Sequence, residues 1–178
     1  MDITKVFFYS YIIGSIPFGL IFSNLLGFGD LRKIGSGNIG ATNALRTGNK
    51  VIGYSTLFFD VVKAILPVLY VKFYFYELLY IASLCAFLGH VFPIWLKFQG
   101  GKGVATYLGI LFAINPYFGL IFIFTWLIIF TISKFSSLSS ILASLAIPIY
   151  LLFITEFNQV IFFTIMFVLI FFTHRENI

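Results

Sequence analysis

The segment "GSGNIGATNALR", residues 35–46, gathers the groups that bind small anions. Gly35 and Gly37 let a backbone bend closely around a ligand, Ser36 and Thr42 carry hydroxyls, Asn38 and Asn43 carry amides, and Arg46 carries a planar cation suited to phosphate. Read as a short helix over 38–47, the spacing puts Asn38, Thr42 and Arg46 on one face at i, i+4 and i+8, with Asn43 beside them and Gly48 as a left-handed stop. No carboxylate occurs between residues 31 and 50, which favours an anionic ligand and argues against a hard-metal site. Taken alone, the segment fits a solvated glycine-rich loop equally well.

Two further polar islands follow. In "KFQGGKGVAT", residues 97–106, Gly100, Gly101 and Gly103 surround Lys102 just before a helical pattern, so backbone and point charge could approach an anion together. The G-x-x-x-x-G-K-[ST] spacing is absent, so nucleotide hydrolysis is not indicated. His90, upstream in "GHVFP", reads as a packed, hydrogen-bonded side chain rather than a catalyst. The tail "FTHRENI" places His174 and Asn177 at i, i+3, with Arg175 beside them. By itself it is an ordinary basic helix end.

The elements that must hold these islands are apolar. The 178 residues are 61% hydrophobic and 10% charged, with mean hydropathy +1.07, which excludes an ordinary soluble domain. Apolar runs cover 3–27, 51–73, 77–98, 103–133, 138–155 and 158–173, and none alternates as barrel strands do. The run 103–133 would be about 46 Å long as one helix and contains Asn115–Pro116–Tyr117, so it splits into 104–115 and 117–133. The expectation is an all-α, polytopic membrane bundle of about seven segments in one domain, residues 1–178, with N-terminus outside and C-terminus cytoplasmic. Residues 3–27 read as a retained first span, not a cleaved signal, kinked at Pro17.

This topology puts Arg32, Lys33, Arg46, Lys50, Lys97, Lys102, Lys134 and Arg175 inside, against Lys5 and Lys72 outside, together with Asp2, Glu77 and Glu156. All three islands then face the cytoplasm. The net charge of +5 reports this orientation and not nucleic-acid binding. Segment 104–115, about 18 Å of helix, is short for a full crossing. The single cysteine, Cys85, lies in an apolar run and suits neither a disulfide nor a nucleophile. Asp60 and Lys63, i and i+3 inside a span, read as a structural ion pair ahead of a direct ligand role.

In order and spacing, "SGNIGATNALR", "GHVFPIWLKFQGGKGVAT" and "HRENI" resemble the three motifs of the PlsY family, bacterial acyl-phosphate:glycerol-3-phosphate acyltransferases, and "GSIPFG" near the start is similar too. The resemblance implies transfer of a fatty acyl group from acyl phosphate to the 1-hydroxyl of glycerol 3-phosphate, giving lysophosphatidic acid and phosphate, in the bacterial cytoplasmic membrane. It implies no metal, no cofactor, no acyl-CoA and no nucleic acid, with the enzyme that makes acyl phosphate as a candidate partner. It also implies that Ser36, Arg46, Lys102, His174 and Asn177 are needed for catalysis, and that Asn38, Thr42, Asn43, Gly100, Gly101 and Gly103 line the substrate site. Two departures stand out. The family's third motif usually continues to a glutamate beyond the position of Ile178, and "DVVKA" has Ala64 where the family has glycine. A transporter for a small phosphorylated solute would need a similar cationic pocket, but also a polar route to the outer face, where the loops are short.

Overall fold

The computed structural model describes residues 2–154 and 157–177, which form nine α-helices joined by short 3-10 turns, with no strand among the described residues. Glu156 and the last residue of the 138–155 run lie outside them. The helices are α1 (Ile3–Gly14), α2 (Phe18–Leu25), α3 (Ala41–Ala44), α4 (Lys50–Tyr74), α5 (Leu79–Val91), α6 (Val104–Ile114), α7 (Pro116–Ser133), α8 (Ser136–Ile154) and α9 (Phe157–Thr173). Five stretches are long and apolar enough to cross a membrane: Ile3–Leu25, Lys50–Tyr74, Tyr76–Leu96, Pro116–Ser133 and Ser136–Ile154. Val104–Ile114 and Phe157–Thr173 are apolar but shorter. The seven apolar segments expected from the sequence thus fall on helical stretches, five of which have the length and apolarity of a full crossing.

Local chemistry explains the boundaries. Asn115 ends the long apolar run: its side chain accepts the Tyr117 N–H at 3.0 Å, and Pro116 opens α7, where a missing N–H costs nothing. At Pro17 the chain does more than kink. Helix α1 stops at Gly14, α2 restarts at Phe18, and the carbonyls between them need donors that lipid cannot supply. Trp95 Nε1 donates to Ser15 O at 2.9 Å, and Lys63 Nζ donates to Ile16 O at 2.7 Å. Lys63 also pairs with Asp60 at 2.7 Å, both side chains being buried, so the charge needed at the break is neutralised where it stands.

The chain divides into two compact units, residues 1–110 and 111–178. In the first, α4 packs against α1, α2, α3 and α5, and α1 lies along α5. The α1–α5 approach is a backbone-to-backbone contact. A Cβ on Gly14 would strike the Ala86 carbonyl oxygen, and one on Gly89 would strike that of Tyr11. Small residues allow this closeness, which gains dispersion where no hydrophobic force drives helices together. In the second unit α8 packs against both α7 and α9. Trp126 Nε1 donates to Ser140 Oγ at 3.1 Å between α7 and α8, and Phe118 meets Phe163 edge to face between α7 and α9. Buried Ser139, Ser140 and Ser144 turn their hydroxyls back onto carbonyls of the same chain segment, keeping the helix face small and satisfied.

Gly89→Val forces α1 and α5 apart. It should destabilise the protein by about 1–3 kcal/mol, the range for overpacked cores. A lowered unfolding temperature in detergent is the expected result, and an unchanged one contradicts the close packing.

Candidate active site

The first island is organised around one amide. Asn43 is buried, and its Nδ2 lies within donating distance of three carbonyls, Leu31 at 2.9 Å, Ile34 at 3.0 Å and Asn38 at 2.7 Å. Its Oδ1 accepts the Ser36 N–H at 3.0 Å and faces Arg46 Nη1 at 3.4 Å. An amide so fully engaged by protein groups holds a loop together, and it acts on a substrate through the residues it orients. Those residues are Ser36 and Arg46, ten positions apart in sequence and joined through a single oxygen, with both side chains exposed. Gly35, at φ 54°, runs so close that a Cβ there would press on Asn43 Oδ1 and the Arg46 side chain. Glycine is therefore required twice over at this position, by conformation and by space.

The helix begins later than the spacing suggested. It starts at Ala41 and gives way to a 3-10 turn over Leu45–Thr47, ending at Gly48 with φ 83°. Asn38 precedes it and folds its Oδ1 onto the Gly40 N–H at 2.8 Å, so it does not share a helical face with Thr42 and Arg46. Thr42 is exposed on α3. Arg32 is held in a fork by Asp30, with Nη2 to Oδ2 at 2.6 Å, which holds the Asp30 carboxyl below the usual carboxylate range. Arg46 is exposed and has no carboxylate partner among the described residues.

The second island presses onto the end of α5. Lys97 and Phe98 both adopt left-handed backbone, at φ 53° and 62°, and turn the chain back. The Gly100 and Gly101 N–H groups donate to the Val91 and His90 carbonyls at 3.0 and 3.1 Å. These two amides thus close the turn instead of facing an anion. The glycines are needed because side chains would not fit: a Cβ on Gly101 would meet the His90 ring, and one on Gly103, at φ 83°, the Phe87 ring. Lys102 is partly exposed at the crest, directly before the start of α6, the end of a helix that attracts anions. Leu96 packs on the cluster of Leu20, Leu31, Ile39, Ala44 and Ile52 beneath the first island. The segment leading into the Lys102 turn therefore shares a core with the first island.

In the second unit, α9 ends in a 3-10 turn over Arg175–Asn177, whose i, i+3 positions eclipse, so His174 and Asn177 share a side. His174 is buried, and its Nδ1 lies 2.8 Å from the Ile170 carbonyl. A carbonyl can only accept, so the proton sits on Nδ1 and Nε2 is the basic nitrogen. Arg175 lies over the Phe172 ring at 4.3 Å. Among the described residues no group of three or more His, Cys, Asp or Glu is placed to hold a metal ion.

The structure bears out the expected Asp60–Lys63 ion pair, but sequence reasoning missed Trp95 and the second task of Lys63, which together answer carbonyls at the break before Pro17. The signal was present in Pro17 itself, since a proline inside a spanning run obliges something to answer the freed carbonyls.

Helices of this length and apolarity, carrying a cationic loop site, define an integral membrane protein. The profile described as Glycerol-3-phosphate acyltransferase matches residues 5–178. A glycerol-3-phosphate acyltransferase of Pelagibacter ubique (strain HTCC1062) is 64% identical over 169 residues, 95% of this chain and 88% of the relative. One of Mesorhizobium japonicum (strain LMG 29417 / CECT 9101 / MAFF 303099) is 46% identical over 96% of this chain and 87% of its own length. The crystal structure of PlsY (YgiH), described as an integral membrane glycerol 3-phosphate acyltransferase in its glycerol 3-phosphate form, superposes with TM-score 0.91 at 36% identity, covering 98% of this chain and 89% of that one. A second PlsY structure, the lysophosphatidic acid form, gives 0.89 at 35% identity. The chain belongs to the PlsY family of glycerol-3-phosphate acyltransferases, and it is an acyltransferase.

Asn43→Asp keeps the oxygen facing Ser36 and Arg46 but removes the donor to three carbonyls. Unsatisfied buried groups cost about 1–3 kcal/mol each. The variant should unfold at lower temperature and lose activity together, and wild-type thermal stability would show that the amide does not hold the loop.

Proposed function

We propose that this enzyme takes its acyl group from acyl phosphate and transfers it directly to the 1-hydroxyl of glycerol 3-phosphate, releasing lysophosphatidic acid and inorganic phosphate on the cytoplasmic side of the bacterial inner membrane. The observation that carries the reading is the convergence of Ser36 and Arg46 on Asn43 Oδ1, with the Lys102 turn on the same core. Two cations and a hydroxyl suit an acidic phosphate ester, and the many exposed apolar side chains suit a lipid acyl chain in the bilayer.

Acyl phosphate is already activated, because phosphate is a competent leaving group. The glycerol oxygen attacks the carbonyl carbon, a new ester C–O bond forms, the bond from that carbon to the phosphate oxygen breaks, and the electron pair leaves with phosphate. Arg46 and Lys102 stabilise the charge gathering on the departing group, while Ser36, Asn38, Thr42 and the Gly100–Gly101–Gly103 turn shape the pocket that orients the esters. Asn43 contributes by holding Ser36 and Arg46. The hydroxyl proton passes to the acceptor's own phosphate, whose second pKa lies near about 6. His174 and Asn177 position substrate, with His174 Nε2 as a hydrogen-bonding nitrogen. No acyl-enzyme, metal or cofactor takes part.

Purified protein in detergent, given labelled glycerol 3-phosphate with either acyl phosphate or acyl-CoA, should form labelled lysophosphatidic acid with the former alone. Product from acyl-CoA and none from acyl phosphate overturns the donor assignment. Arg46→Ala and Lys102→Ala should each lower kcat/KM about 100-fold or more, the scale for losing a group that stabilises developing charge. For the proton, His174→Gln should retain measurable turnover. Near-complete loss restored by added imidazole would instead make His174 the general base.

A further inference from the structure

Three buried ionisable groups of the first unit that catalysis does not use lie next to one another. Lys63 donates to the Ile16 carbonyl at the α1–α2 break at 2.7 Å and pairs with Asp60 at 2.7 Å, and His90 Nδ1 lies 3.8 Å from Asp60 Oδ1. His90 is 4% exposed, and its Nδ1 makes no hydrogen bond. The other side of the same ring faces Gly101 so closely that a Cβ there would meet Nε2, while the His90 carbonyl accepts the Gly101 N–H at 3.1 Å. His90 thus touches the glycine turn twice, by ring and by backbone.

We propose that His90 is a positioning residue for Lys102: its ring, backed by the Asp60–Lys63 pair, is the seat that sets the height and direction of the Gly100–Gly103 turn. This rests on the reading of Lys102 as the cation that meets phosphate. The turn needs such a seat because Lys97 and Phe98 enter it in left-handed backbone, a conformation that is strained for a non-glycine residue. It persists only where surrounding contacts determine it. The Gly100 and Gly101 amide bonds fix where the turn is anchored, and the ring fixes how far Gly101 can sink toward α5. Without the ring the turn can drop toward α5 and carry the ammonium of Lys102 out of register with Arg46. The role also accounts for charged residues buried in a membrane helix. Lys63 satisfies the broken helix that leads to α2, where a Cβ on Gly19 would strike the Ile39 carbonyl under the first island, and Asp60 neutralises Lys63 and faces His90. One cluster thereby spaces the two cationic loops.

A double-mutant cycle tests this, because a residue acting through Lys102 loses its effect once Lys102 is gone. Wild type, His90→Ala, Lys102→Ala and the double variant are purified, checked for folding by thermal unfolding, and compared in kcat/KM with acyl phosphate and glycerol 3-phosphate. The affinity for inorganic phosphate, by calorimetry, provides a readout that needs no turnover. His90→Ala should reduce kcat/KM about tenfold in the wild-type background and less than about twofold in the Lys102→Ala background, with phosphate affinity following the same pattern. Equal losses in both backgrounds, or no loss in the first, overturn the inference. If His90→Ala does not fold, the cycle is run with His90→Gln and the same two outcomes decide. Wild-type protein inactive with acyl phosphate removes the underlying functional reading and this inference with it. An active wild type with an additive cycle removes the inference alone.

Discussion

The structure depends on one constraint: inside a bilayer, a carbonyl freed from a helix must find a donor within the protein. At the break between α1 and α2 the Ser15 carbonyl accepts from Trp95, in the turn before the second island, and the Ile16 carbonyl accepts from the nearby Phe18 N–H at 3.1 Å and from Lys63 in the middle of α4. A lysine in that position needs a counter-charge, which Asp60 supplies from one turn away. The interruption in the first span therefore fixes the relation of three helices and a loop. It also directs α2 toward the core on which both cationic loops are built.

The same logic operates at smaller scale in the loops. Asn43 answers three carbonyls with one amide nitrogen and takes up the Ser36 N–H with its oxygen, and the Gly100 and Gly101 amides answer the last carbonyls of α5. What faces outward from these closed networks is Ser36, Thr42, Arg46 and Lys102, which are partly or fully exposed. The loop amides are engaged within the protein, while these four side chains keep surface that a ligand can reach. Preorganisation of this kind is how fixed dipoles and charges lower a barrier without reorganising during the reaction.

Much of the scaffold was legible because its signals are local. Asn115–Pro116 marks a helix boundary, Gly48 a left-handed stop, and Pro17 an interruption, and each is decided by a few neighbouring residues. The candidate residues of the first two islands likewise stand out in the sequence as clusters of type. What was not legible depends on partners distant in sequence. The bond from Trp95 to Ser15 crosses 80 positions, and nothing in either residue announces it. Asn43 reads from its type as a ligand for phosphate, whereas its burial and its bonds to the Leu31 and Ile34 carbonyls make it a backbone clamp. The start of α3 was misjudged for a related reason: side-chain spacing suggested a helix from 38, but Asn38 satisfies the Gly40 N–H instead and delays the first turn. The glycines around Lys102 suggested amides open to an anion, yet two of those amides belong to α5.

The central claim is that both loops are set in place by the protein before any substrate arrives. Amide hydrogen exchange of the ligand-free enzyme in detergent, resolved at Ser36, Gly100 and Gly101, tests it most directly. The account predicts exchange slowed by about 100-fold or more relative to an unstructured peptide at all three positions without substrate. Exchange at unprotected rates until glycerol 3-phosphate or acyl phosphate is added would contradict it.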